Sequence, residues 1–242
     1  MFEARRTGVG KMSVPIVEIY GSMDCPYTYL ATYRLRRLWP RIEGRLKPVW
    51  RCLSLEYVNK RPVVQPLIEA ERPLFARIEP ALPYEPWARA AWDWPVTMWP
   101  AAEALACAQL QSAEAAMAMS WALRHAFFAG SRNIALRHEI MAIAREVANE
   151  LSNEASFDVG RFKVDWDGGN MKAGVIGESR RGWRELNLEG SVTFVLPDGR
   201  RVTNPALGEV DFDEDSYVLR SYEPFEGDAL EVYAQMLGLG NE

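Results

Sequence analysis

The chain has only three cysteines and two histidines in 242 residues. An odd, sparse set of cysteines excludes the disulfide framework of a secreted scaffold. His125 and His138 have no cysteine or carboxylate around them at metal-ligand spacing, so no metal site is expected. No apolar run approaches the roughly 18–20 residues of a membrane span. Arg5, Arg6 and Lys11 are followed by no apolar stretch of the signal-peptide kind, and Gly8 and Gly10 suggest a loose tail over residues 1–12. The net charge of −5 argues against a general nucleic-acid binder. These absences lead us to expect a cytoplasmic protein without nucleic-acid or membrane partners. What is present, 48% apolar and 25% charged residues, supplies a full core for one domain or one domain with an insertion.

The most informative stretch is Ser22-Met23-Asp24-Cys25-Pro26-Tyr27-Thr28-Tyr29-Leu30. The apolar run over residues 15–20 before it reads as a buried strand. After it, Tyr27, Ala31, Leu35 and Leu38 share one helical face, with Arg34, Arg37 and Arg41 off that face. Pro26 suits the first turn of that helix, where its missing N–H is not needed. Cys25 is thus placed at a helix N-terminus, in a turn expected to be exposed. The helix dipole and the unpaired N–H groups there should lower its pKa and make it a nucleophile. The hydroxyl of Thr28, three residues on, could donate a hydrogen bond to the thiolate.

Further along, Pro40 and Gly44 break the helix, and residues 46–55 read as a second strand, placed at an edge by Pro48. Cys52 on that strand and Cys107 among alanines read as small core residues. Residues 56–100 hold eight of the fifteen prolines and four of the nine tryptophans, which predicts an irregular wrap without a long regular element. Its tryptophans either pack two parts of the molecule together or wall an apolar substrate. Three helices are expected at 101–110, 112–128 and 134–148, then a glycine-weakened helix at 171–186. Arg180, Arg181 and Arg184 on it read as a solvated basic face, with anion binding as the other possibility. A strand at 190–196 turns through Pro197-Asp198-Gly199-Arg200 into a hairpin with 201–203, and a helix closes the chain at 227–239. Acidic residues 209–215 fail as a calcium loop, because Ser216 and Tyr222 stand where glycine and glutamate are required; a solvated acidic loop is expected.

Cys25-Pro26-Tyr27-Thr28 resembles the C-P-x-C turn of the DsbA-like branch of the thioredoxin superfamily. The run from Arg124 through Phe127 and Gly130 to Ile134 resembles the R-A-x-F-x-x-G-x-x-I of that branch's helical insertion. Gly190-Ser191-Val192-Thr193-Phe194 is similar to its cis-proline strand, G-[SV]-P-T-F. The turn is also similar to that of kappa-class glutathione transferases and 2-hydroxychromene-2-carboxylate isomerases, which carry serine before P-Y. The resemblance implies an α/β, thioredoxin-like fold with an inserted all-helical domain. Its halves would be residues 1–56 and 161–242, with the Pro/Trp-rich segment and helical insertion at 57–160.

The resemblance also implies thiol–disulfide chemistry, with Cys25 and Thr28 as catalytic residues. Pro26, Tyr27, Ser191, Val192 and Thr193 would form the substrate walls. Thr28 stands where the second cysteine belongs, and a hydroxyl cannot break a mixed disulfide. A single-thiol route is therefore expected, with no tightly bound cofactor. Glutathione or another low-molecular-weight thiol would serve as co-substrate, and the partner would be a small thiol or a disulfide-containing protein. Val192 stands in the proline position, and a cis bond before a non-proline residue is disfavoured by about 3–4 kcal/mol, so a trans bond is expected. Two alternatives stay open. One is a glutathione-binding transferase or isomerase in which Ser22 or Thr28 donates to the cofactor's sulfur. The other is a degenerate, non-catalytic thioredoxin-fold binding protein.

Overall fold

The computed structural model describes residues 14–151, 157–213 and 215–240; the expected tail at 1–12 and Glu214 of the acidic run lie outside them. The chain begins with β1 (Ile16–Gly21), α1 (Pro26–Ile42) and β2 (Lys47–Cys52). Strand β1 runs parallel to β2, with Ile19 opposite Trp50. Its other edge runs antiparallel to β3 (Thr193–Val195), with Ile19 opposite Phe194, and β3 pairs with β4 (Arg201–Thr203). The order β2-β1-β3-β4 makes β2 an edge, as its proline requires. Val17 and Ile19 face the main core, while Tyr20 packs with Leu53 and Leu188 on the other side of the sheet. The central strand is therefore buried on both faces, which explains its nearly continuous apolar run.

Between β2 and β3 lie α2 (Leu55–Asn59), α3 (Gln65–Ile78), α4 (Trp99–Gln109), α5 (Ala113–Phe128), α6 (Arg137–Leu151), α7 (Val159–Asp167) and α8 (Lys172–Arg180). The alanines of α4 and α5 let these helices approach closely, and Met119 and Leu123 of α5 join Ile140 and Ile143 of α6 in the main core. Ser112 caps α5, accepting a 2.9 Å hydrogen bond from Ala115 N. Tyr29 joins α1 to this helical part: its ring stacks on Trp121 and Phe128, and its hydroxyl donates to Pro83 O at 2.7 Å. A π turn at Arg181–Glu185 extends α8, and α9 (Ala229–Met236) closes the fold.

Two expectations are corrected. The Pro/Trp-rich segment does carry a long element, the 14-residue α3. Pro66 sits in its first turn, where no N–H is wanted, and the helix continues through Pro73 because Ile68, Leu74 and Phe75 bury one face. The acidic stretch is a hairpin rather than a loop: β5 (Gly208–Asp213) pairs antiparallel with β6 (Val218–Pro224). The tryptophans of the segment serve packing: Trp87 and Trp94 meet edge-on at 4.9 Å and both lie against Phe127. Trp92 stands out from them, 85% exposed.

Candidate functional site

Cys25 is the N-cap of α1, with Pro26 beginning the helix. The helix opens with Tyr29 N donating to Cys25 O at 3.1 Å. Gly21 ends β1 against the side chain of Thr28, so close that a Cβ at position 21 would collide with it. This contact fixes the short path from strand to helix. Across from the turn lies the loop before β3. The Sγ of Cys25 donates to Ser191 O at 3.2 Å, and the hydroxyls of Ser191 and Thr28 meet at 2.8 Å. Ser191 Oγ also accepts from Ser22 N at 3.0 Å. Cys25, Thr28 and Ser191, far apart in the chain, are thus brought together.

The peptide between Ser191 and Val192 is cis, correcting the trans expectation. Hydrogen bonds hold the backbone there: Val192 N donates to Asn204 Oδ1 at 3.1 Å, and Asn204 N donates to Val192 O at 3.0 Å. The Val192 side chain belongs to the main core. Thr193 turns its hydroxyl away from the sulfur, donating to Gly190 O at 2.7 Å and meeting Thr203 Oγ1 at 2.8 Å. Tyr27 is half-buried, its ring edge-on to Phe75 of α3 at 5.0 Å.

The expected exposed, acidified cysteine is corrected as well. Cys25 is only 2% exposed, and burial pushes its pKa up. Hydrogen bonds from Ser191 and Thr28 pull the other way, and the Glu71 carboxylate on α3 adds to the rise. Desolvation of a buried thiolate outweighs the helix-end field here. Tyr84, just beyond α3, also feels the sulfur's charge. Phe75 of α3 packs on the neighbouring Tyr27, so α3 stands beside the cysteine turn.

Beneath the turn lies a polar group that sequence patterning missed. Asp24 is 1% exposed and accepts a hydrogen bond from Ser22 Oγ, and its burial raises its pKa. Arg124, fully buried on α5, donates to Ser22 O at 3.3 Å and to Ser120 O and Oγ at 3.2 and 2.6 Å, and lies over the Trp50 ring. Burial lowers its pKa to about 10, while Cys25, Cys52 and Asp24 favour its charged form. The available signal was an arginine set among the buried alanines and methionines of α5.

The three cysteines are free thiols. Cys107 is fully buried, and Cys52 accepts from Ser179 Oγ at 3.4 Å; burial raises both thiols to about 12. The α8 arginines are occupied within the protein. Arg181 bonds Tyr20 and Glu18, Arg184 lies over Tyr57, and Arg180 pairs with Glu185. Among the described residues no group of three or more His, Cys, Asp or Glu is placed to hold a metal. No described helix is long and apolar enough to cross a membrane.

The strand order, the cysteine at the head of α1 and the helices inserted between β2 and β3 define the DsbA-like form of the thioredoxin fold. No protein-family model matches the sequence, and no curated protein is significantly similar to it. Solved structures are similar in fold. The cytosolic disulfide reductase DsbM from Pseudomonas aeruginosa, solved with GSH, superposes with TM-score 0.60 at 18% identity, over 78% of this chain and 89% of that one. A proposed protein disulfide isomerase from Nitrosomonas europaea gives TM-score 0.59 at 13% identity, over 92% and 96%. A 2-hydroxychromene-2-carboxylate isomerase gives 0.53 at 14% identity, over 77% and 87%.

Proposed function

We propose that the protein is a cytoplasmic thiol–disulfide oxidoreductase of the DsbA-like kind that works through Cys25 alone. The observation that carries this reading is the contact of Cys25 Sγ with Ser191 O, beside the paired hydroxyls of Thr28 and Ser191. The carbonyl accepts from the thiol, the Ser191 and Thr28 side chains beside it favour the thiolate, and a neighbouring strand stands ready to wall a substrate. In the reaction, Cys25 attacks one sulfur of a disulfide R–S–S–G, where G is glutathione. A Cys25–S–S–G bond forms, RS⁻ leaves, and it takes up the proton that Cys25 loses. A second glutathione thiolate then attacks the glutathione sulfur of this adduct, forming oxidised glutathione and freeing Cys25. No second protein cysteine is required, in keeping with Thr28. Pro26, Tyr27, Ser191 and Val192 would border the substrate, and Thr193 would support them through the backbone at Gly190.

Cys25 is 2% exposed, so its sulfur has to become accessible before exchange begins. The burial of Cys25 also supports a second reading, a binding protein that performs no chemistry. Reduction of a glutathionylated peptide by glutathione separates the two. Acceleration by the wild type and not by Cys25→Ser supports the enzyme. Equal rates for both proteins support the binding protein.

A further inference from the structure

On the opposite part of α1 from Cys25 lies an open cavity of about 500 Å³, bordered by Arg34, Arg37, Arg77, Tyr222, Phe225 and the start of α9. Arg34 is nine residues beyond Cys25, roughly 13 Å along the helix axis at 1.5 Å per residue, so this is not the thiol site. The volume suits a small molecule.

Its charges are unevenly matched. Arg34 is 2% exposed, yet its Nε makes no hydrogen bond; its nearest carboxylate oxygen is Glu79 Oε2 at 3.6 Å. Glu79 also serves Arg37, at 4.0 Å. Among the described residues Arg77 meets a carbonyl and a ring, those of Tyr222. The remaining acid, Asp228, is occupied in accepting from Leu230 N and Glu231 N at the start of α9. Arg34 and Arg37 thus share one carboxylate, Glu79, and Asp228 is turned to the helix end, leaving three guanidiniums against two carboxylates. Guanidinium forks select paired oxygens of the carboxylate or phosphate kind.

We propose that this cavity binds a small organic anion bearing carboxylate or phosphate groups, held between Arg34, Arg37 and Arg77, with Tyr222 and Phe225 as its apolar side. Arg34 also supports the fold by donating to Pro205 O and Ala206 O, at 3.3 and 3.0 Å, so the test relies on the two more exposed arginines. Calorimetric titration of the full chain with succinate and with inorganic phosphate, against chloride at matched ionic strength, reads the site directly. Saturable one-site binding of either probe is expected, weakened about tenfold or more in Arg37→Gln and in Arg77→Gln. Both variants should keep the wild-type melting temperature and Cys25 alkylation rate. The probe that binds more tightly names the ligand class. Absence of saturable binding by both probes, or binding that neither substitution weakens, overturns the proposal.

Discussion

At the residue scale, Cys25 is governed by competition between burial and hydrogen bonding. Burial wins, so alkylation of Cys25 should be slow at pH 7 and should rise only above the ~8.5 of a free thiol. A pH titration with mass-spectrometric location of the label checks this; a midpoint below 8 would contradict it. Thr28→Val removes a donor to the developing thiolate and a buried partner of the Ser191 hydroxyl; it should slow glutathione-adduct reduction about tenfold and cost about 1–3 kcal/mol, seen as a lower urea midpoint. That Cys25, Thr28 and Ser191 lie together was legible, because the turn and the strand before residue 194 are local patterns. The burial was not legible, since it depends on packing between segments far apart in the chain, such as that of Phe75 on Tyr27. Arg124 was hidden for the same reason. Its meaning depends on meeting Ser22, 102 positions earlier.

At the element scale, two junctions decide the site. Gly21 leaves no room for a side chain beside Thr28. Gly21→Ala should cost about 1–3 kcal/mol by overpacking, seen as a lower urea midpoint, and should disturb the start of α1. Helix α3 packs against the cysteine turn where Phe75 meets Tyr27. Phe75→Leu should speed Cys25 alkylation at pH 7 while costing less than about 1.5 kcal/mol; an unchanged rate would show that α3 does not gate the thiol. The βαβ start, the edge strand and helices α4, α5 and α6 followed from apolar patterning, helix-forming composition and proline placement. Helix α3 did not, because its prolines masked a buried face at Ile68, Glu71, Leu74 and Phe75. Strand β5 was missed because its alternation, Glu209-Val210-Asp211-Phe212, is carried by too few apolar residues to outweigh the charges.

For the whole molecule, buried neutral acids set the alkaline limit of stability. Cys52 and Cys107 are raised to about 12, and so is Tyr20. A raised folded pKa contributes stability that is complete below the unfolded value and is lost as pH rises toward the folded one. The urea midpoint should therefore fall between pH 8 and pH 10, with a fully buried thiol such as Cys107 accounting for about 2 kcal/mol at pH 10. A flat profile would show that these thiols ionise freely. The central claim, exchange through one cysteine, is tested most directly by incubating the protein with oxidised glutathione and locating adducts by mass spectrometry. The account predicts one glutathione on Cys25, removed by reduced glutathione and absent in Cys25→Ser. Modification of Cys52 alone, or a Cys25 that stays unmodified at a pH where it is alkylated, would contradict it.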